Sequence, residues 1–300
     1  MASREPVGVV GTGIMGAPMA RNLAQAGFWV TVFNRTPARA EALREHGVTV
    51  APSIADVGRA CTVVITMVPD TPDVLDVVEG AGGLADSMAS GSVLIDMSTV
   101  APGATRALAE RLAAKGIAML DAPVSGGSWG AEQGTLTIMA GGARETFDRC
   151  LPVFEAMGKS ITLMGPSGMG QTTKLVNQIL VAGTASAVAE ALVFAAAQGA
   201  DLLKTIEAVS GGAAGSWQLA NLGPRMVQGD FAPGFMVKLQ QKDLRLILEA
   251  AEEQHVPMAV LSIARQYFTA LEASGLGNEG TQSIIKAVEM LAGREARQQS

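Results

Sequence analysis

From residue 6 to about residue 165 the chain repeats one pattern, short runs rich in Val and Ile alternating with amphipathic stretches; beyond Gly170 those runs stop and helical spacing takes over. The first pattern is that of βα units feeding a mainly parallel, doubly wound sheet. It predicts strands near Val7 to Val10, Trp29 to Phe33, Val48 to Val50, Thr62 to Val68, Val93 to Asp96, Ala118 to Asp121, Leu136 to Ala140 and Ile161 to Met164. The second predicts helices over 171–199, 201–210, 213–228, 237–254, 257–274 and 279–292, an all-α region. At 300 residues the chain exceeds one ordinary domain. The boundary is expected at Gly165-Pro166-Ser167-Gly168, giving domains 1–165 and 166–300 joined by a long interdomain helix. Thr36-Pro37 and Thr71-Pro72 each offer an N-cap with proline at the first helical position, and Gly27, Gly47 and Gly116 stand where helices should stop. The polar tail Arg294 to Ser300 is expected to fray.

Composition excludes several functions. Hydrophobic residues make up 48% and charged residues 17% of the chain, too apolar for disorder. A net charge of -6, with 22 basic residues scattered, leaves no electrostatic footprint for nucleic acid. Cys61 and Cys150 lack metal spacing, and His46 and His255 lie near neither, so no metal is expected and reduced cytoplasmic thiols are. The N-terminus carries no signal-peptide stretch. Ile179 to Ala197 is apolar, but it contains Glu190 and is built largely of small residues, so a buried helix is expected rather than a membrane span.

Gly11-Thr12-Gly13-Ile14-Met15-Gly16 directly follows the first expected strand and opens a helix whose apolar positions Met15, Met19 and Leu23 recur four apart. Such glycines permit a tight turn, backbone approach to a pyrophosphate and packing of helix on sheet, while the helix N-terminus faces the phosphates. The context therefore points to a dinucleotide-binding Rossmann domain. At the end of the second strand an NAD-binding protein usually places Asp or Glu; here the chain reads Phe33-Asn34-Arg35-Thr36. Arg35, with Asn34 and Thr36, suits a 2′-phosphate, which favours NADP(H) and leaves NAD(H) possible. The plainer alternative is a solvated arginine in a turn. Met67-Val68-Pro69-Asp70, Ser98-Thr99 and Pro123-Val124-Ser125-Gly126-Gly127 fall at other expected strand C-termini, the edge where open α/β sheets bind ligands.

Lys174 is the only basic residue between Lys159 and Lys204, and Asn177 lies one helical turn on. An ammonium within reach of a carbonyl that accepts hydride stabilises the developing alkoxide and donates its proton. A surface lysine is the alternative reading. Ser125-Gly126-Gly127 offers a hydroxyl and open backbone N–H groups, which suit a small carboxylate; a turn alone would also explain the glycines.

Over nearly its whole length the chain resembles the β-hydroxyacid dehydrogenases, which include 3-hydroxyisobutyrate dehydrogenase, tartronate semialdehyde reductase and glyoxylate/succinic semialdehyde reductase. The likeness is carried by Gly11 to Gly16; by Asp121 to Gly127 with Gly130-Ala131 and Gly134-Thr135-Leu136; by Gly170, Lys174 and Asn177; and by Lys242-Asp243-Leu244. It implies a catalytic Lys174, substrate binding by Ser125, Gly126, Gly127, Lys174 and Asn177, and closure by Phe235 and Asp243. It further implies cofactor contacts from Thr99 and Lys242, besides Gly11, Thr12, Gly13, Ile14, Met15, Gly16, Asn34, Arg35, Thr36, Met67, Val68 and Pro69. Homodimers or homotetramers are implied, as is a small carboxylate substrate, with Asn34-Arg35-Thr36 looking like the NADPH-using reductase branch. Ser128-Trp129 departs from the smaller pairs common in the family, which leaves the substrate open. An NAD-using 3-hydroxyisobutyrate or serine-type dehydrogenase is one alternative, and a non-catalytic NADP-sensing module is another. Lys174 argues against the related imine reductases, and the length of the helical region against a decarboxylating 6-phosphogluconate dehydrogenase.

Overall fold

The computed structural model describes residues 5–298 and divides into two compact units, 1–174 and 175–300. The first holds β1 (Val7–Val10), α1 (Gly16–Gln25), β2 (Val30–Phe33), α2 (Pro37–Glu41), β3 (Thr49–Val50), α3 (Ile54–Ala60), β4 (Val63–Thr66), α4 (Thr71–Glu79) and α5 (Leu84–Ser87). It continues with β5 (Val93–Asp96), α6 (Pro102–Ala113), β6 (Ala118–Asp121), β7 (Val124–Ser125), α7 (Gly127–Gln133), β8 (Leu136–Gly141), α8 (Arg144–Glu155) and β9 (Gly158–Gly165). The nine strands form one sheet in the order β3-β2-β1-β4-β5-β6-β8-β7, with β9 also on β8. From β3 to β6 every pairing is parallel, whereas β8 runs antiparallel to β6 and to β7. This is a Rossmann-type α/β domain.

Alternation along the strands explains the layers. Val63, Ile65, Val93 and Ile95 belong to one apolar cluster with Met19, Leu23 and Phe154, while Val64 and Leu94 belong to the opposite one with Val57, Val74, Leu108 and Leu112. A sheet buried on both faces needs apolar residues at both parities, which is why the central strands read as unbroken Val/Ile/Leu runs. Both cysteines are free and buried, and burial pushes the Cys61 thiol up to about 11 and the Cys150 thiol up to about 12.

The long helix α9 (Met169–Ala197) crosses the division between the units. By length and composition it could cross a membrane, yet Leu175, Ala182, Ala185, Ala189 and Leu192 along it are buried. The second unit adds α10 (Leu202–Ser210), α11 (Gly223–Gln228), α12 (Val237–Glu253), α13 (Ala259–Ala273) and α14 (Ile284–Ala292). Within it α12 packs on α13 and α13 on α14, burying Leu244, Ile247, Leu261, Phe268, Leu271, Ile284 and Ile285.

Several expectations are corrected. The two-residue strand β7 was not anticipated, because nothing in a pair of residues has a period. Asp70, not Thr71, caps α4: its carboxylate accepts from the Thr71 N–H at 2.7 Å, and Pro72 sits at the second position. The expected helix over 213–228 begins only at Gln218, with a wide five-residue turn to Leu222 and then α11. Residues 211–217 include three glycines, whose backbone entropy disfavours helix. The expected helix over 279–292 opens with a tight turn at Thr281–Ser283, and α14 follows. The tail is not frayed over the described residues. Arg294 donates to the Ala197 carbonyl, Ala296 is fully buried, and the Gln298 N–H donates to the Val227 carbonyl. Gln298 Oε1 accepts from the N–H groups of Leu202 and Leu203, so the tail caps α10.

Candidate active site

The parallel strands end in register. Phe33 pairs with Val10, Val10 with Thr66, Thr66 with Asp96 and Asp96 with Asp121. The segments expected to bind ligand therefore leave neighbouring strands in spatial order: 34–36 after β2, 11–16 after β1, 67–69 after β4, 98–99 after β5 and 123–127 after β6. Four gaps of about 4.8 Å between strands span ~19 Å, enough for an extended dinucleotide.

The β1–α1 loop fits a diphosphate. Gly11 has φ +100°, a conformation that disfavours any side chain, and a methyl there would overlap the Met67 carbonyl oxygen. A methyl on Gly16 would overlap the Gly11 carbonyl oxygen, whereas one on Gly13 would meet nothing within 4 Å. Gly11 and Gly16 thus close the turn, and Gly13 leaves the open approach a phosphate needs. Asn34 braces the loop: its Oδ1 accepts from the Thr12 N–H at 2.9 Å and its Nδ2 donates to the Thr36 carbonyl at 3.0 Å. Arg35 and Thr36 are exposed, as is Arg39 one helical turn on, a cation the sequence reading passed over.

A buried polar network ties the next loops to the start of α9. Asp96 Oδ1 accepts from Thr66 Oγ1 at 2.8 Å and from the Ser98 N–H at 3.1 Å, and Ser98 Oγ accepts from the Val68 N–H at 3.0 Å. Gln171, fully buried, brackets the loop carrying half-buried Thr99: its Nε2 donates to the Ser98 carbonyl at 2.8 Å and its Oε1 accepts from the Val100 N–H at 3.1 Å. Asp121 accepts from the N–H groups of Gly168 and Gln171 at 2.7 and 2.8 Å, a carboxylate at a helix N-terminus. Burial raises the Asp121 carboxyl above its ordinary range against these donors, and burial also raises Asp96, to about 6. The turn of α9 that bears Lys174 is in this way pinned to the C-terminal edge of β5 and β6, and Lys174 is buried.

Ser125 is half-buried in β7, Gly126 and Gly127 have φ +130° and +60°, and Trp129 is exposed. Of the residues expected from the helical unit, Asn177 donates through Nδ2 to Gln178 Oε1 at 2.7 Å, and Gln178 Nε2 donates to Asp243 Oδ2 at 2.6 Å. Lys242 Nζ forms an ion pair with Asp243 Oδ1 at 2.8 Å. Phe235 is half-buried just ahead of α12, its carbonyl accepting from the Thr281 N–H. Asp96, Gln171 and Gln178 were missed as functional candidates. The available signal was a polar residue at a strand terminus or inside an otherwise apolar helix.

Residues 6–165 match the NAD-binding domain of 6-phosphogluconate dehydrogenase, and residues 168–288 match the NAD-binding domain of NADP-dependent 3-hydroxyisobutyrate dehydrogenase. An uncharacterized oxidoreductase of Bacillus subtilis (strain 168) is 42% identical over 94% of this chain and 98% of its own. The 2-hydroxy-3-oxopropionate reductase of Escherichia coli (strain K12) is 40% identical over 95% of this chain and 98% of its own. A structure of Mycobacterium tuberculosis 3-hydroxyisobutyrate dehydrogenase with L-serine superposes with a TM-score of 0.87 at 30% identity, covering 95% of this chain and 99% of that one. With both halves matched and relatives of this kind aligned over nearly the whole chain, the chain belongs to the β-hydroxyacid dehydrogenase family of NAD(P)-dependent oxidoreductases.

Proposed function

We propose that this protein is an NADP(H)-dependent reductase of small carboxylate-bearing aldehydes, of the tartronate semialdehyde, glyoxylate or succinic semialdehyde kind, with Lys174 as its proton-transfer group. The observation that carries the proposal is the anchoring of the Lys174 turn, through Asp121 and Gln171, to the strand ends that bear Thr99 and the 123–127 segment. When bound, the nicotinamide supplies or takes the hydride. The Lys174 ammonium meets the oxygen that gains charge as the carbonyl is reduced and gives it a proton; in reverse, the neutral amine removes the hydroxyl proton.

Ser125 Oγ and the backbone N–H groups of Gly126 and Gly127 orient the substrate carboxylate, assisted by Asn177. Phe235 and Asp243 are the further candidates of the helical unit, Phe235 by contact and Asp243 through the side chains it holds. Gly11 to Gly16 take the diphosphate, Met67, Val68, Pro69 and Thr99 line the cofactor beyond it, and Lys242 contacts it from beside Asp243. Arg35 and Thr36 take the 2′-phosphate while Asn34 holds the turn. Arg35→Ala then weakens NADPH binding by about tenfold and NADH binding much less, measured by fluorescence titration. Equal weakening of both cofactors contradicts that role.

Domain limits of 1–165 for the cofactor-binding part and 166–300 for the substrate and oligomerisation part accompany this reading, as does a cytoplasmic homodimer or homotetramer. Val176, Leu180 and Phe194, all exposed on α9, support self-association. The test is a panel of semialdehydes, 3-hydroxy acids and serine assayed in both directions with both cofactors. NADPH-linked reduction of a semialdehyde is expected to give the highest kcat/KM. Preferential NAD-linked oxidation of 3-hydroxyisobutyrate or serine would replace this reading with the dehydrogenase one, and cofactor binding without turnover would leave a sensing module.

A further inference from the structure

The side chains joining α9 to α12 in the helical unit run in one chemical direction. Asp243 is 1% exposed at its side chain and pairs with Lys242 Nζ at 2.8 Å, and a carboxylate can only accept hydrogen bonds. Gln178, itself buried, must then turn its amide nitrogen toward Asp243, as the 2.6 Å bond shows. Its carbonyl oxygen is thereby left facing Asn177, which must donate, and does so at 2.7 Å. A carboxylate at one end thus dictates the orientation of two successive amides and turns the Asn177 carbonyl oxygen away from the relay.

We propose that Gln178 and Asp243 are positioning residues that act through Asn177, fixing its amide so that the carbonyl oxygen is the face it offers. A carbonyl oxygen takes donors. Asn177 would therefore receive the substrate hydroxyl or the Lys174 ammonium, one helical turn away, and the substrate carboxylate falls to the Ser125–Gly127 segment. The proposal deepens the reductase reading and its kinetic arm rests on that reading, while its orientational core does not.

The test compares Gln178→Leu, Asp243→Asn, Asn177→Asp and the double variant Asn177→Asp/Asp243→Asn in the full-length protein. The double variant moves the carboxylate to the other end, so Gln178 can turn over and both of its bonds can re-form in reverse. Each single variant is expected to melt below wild type, and the double variant to recover part of that loss. Gln178→Leu should lower kcat by about tenfold or more with NADPH Kd within about twofold, as expected of a displaced catalytic neighbour, and Asp243→Asn should lower kcat alike. The double variant should stay impaired in turnover despite its recovered melting temperature, because it presents a carboxylate where a carbonyl belongs. A relay that only supports the fold would restore both together.

The proposal is overturned if folded Gln178→Leu keeps wild-type kcat, if the double variant is as unstable as its two parts summed, or if it regains turnover. Should wild type reduce no aldehyde at all, the reductase reading fails while the melting cycle still decides the direction of the relay.

Discussion

Asp96 ends β5 with its carboxyl fully buried, one oxygen bonded to Thr66 and Ser98 and the other, Oδ2, without a protein partner. Burial raises its pKa to about 6, and the neighbouring Asp121 pushes in the same direction. In the unfolded chain this carboxyl ionises near 4, so between about pH 4 and 6 the folded protein holds the extra proton. Its contribution to stability is present below that window and lost as pH rises through it, by about 3 kcal/mol at most. Asp96→Asn removes the titration, though its amide nitrogen brings a pH-independent cost of its own. Thermal melting from pH 4 to 7 should therefore show the variant gaining on wild type as pH rises to about 6. Parallel curves would contradict the assignment. Residues such as this were hard to foresee: an aspartate after Val-Leu-Ile reads equally as a turn former, and only cross-strand register sets it beside Thr66 and Asp121.

Among the elements, the β1–α1 loop was the most legible, because its glycines carry separate steric demands. Gly13 has open space and an ordinary backbone, so Gly13→Ala should leave stability within about 1 kcal/mol while weakening NADPH at least about tenfold. Gly16→Ala must displace the Gly11 carbonyl and should cost about 2 kcal/mol of stability. Denaturant titration with cofactor binding on both variants checks the contrast, and equal effects on folding would sink it. The C-terminal tail was the least legible. Its polarity suggested fraying, yet its side chains serve as caps: Gln298 covers the start of α10, and Glu289 accepts from the Ala296 N–H and pairs with Arg297. Truncation after Gly293 is expected to cost about 2 kcal/mol, the scale of a lost cap with its buried bonds. An unchanged melting temperature would show the strap to be passive. Composition alone does not reveal a polar segment that folds by capping another helix.

For the molecule as a whole, periodicity was enough to separate the α/β half from the helical half, since both faces of the sheet are buried and the period changes after Gly170. Strand order was not written in any local pattern, and it is the strand order that turns five scattered loops into one row along a sheet edge. Lys174 stood out as the only basic residue between Lys159 and Lys204; its supports, Asp121 and Gln171, did not, because their partners lie about 50 to 70 residues away. The central claim, that the amine of Lys174 completes the hydride transfer, is tested most directly by single-turnover oxidation of bound NADPH on mixing with the best semialdehyde. In Lys174→Ala the rate is expected to fall by about 10² to 10⁴ with NADPH affinity nearly unchanged. A variant that oxidises NADPH at the wild-type rate would contradict the account.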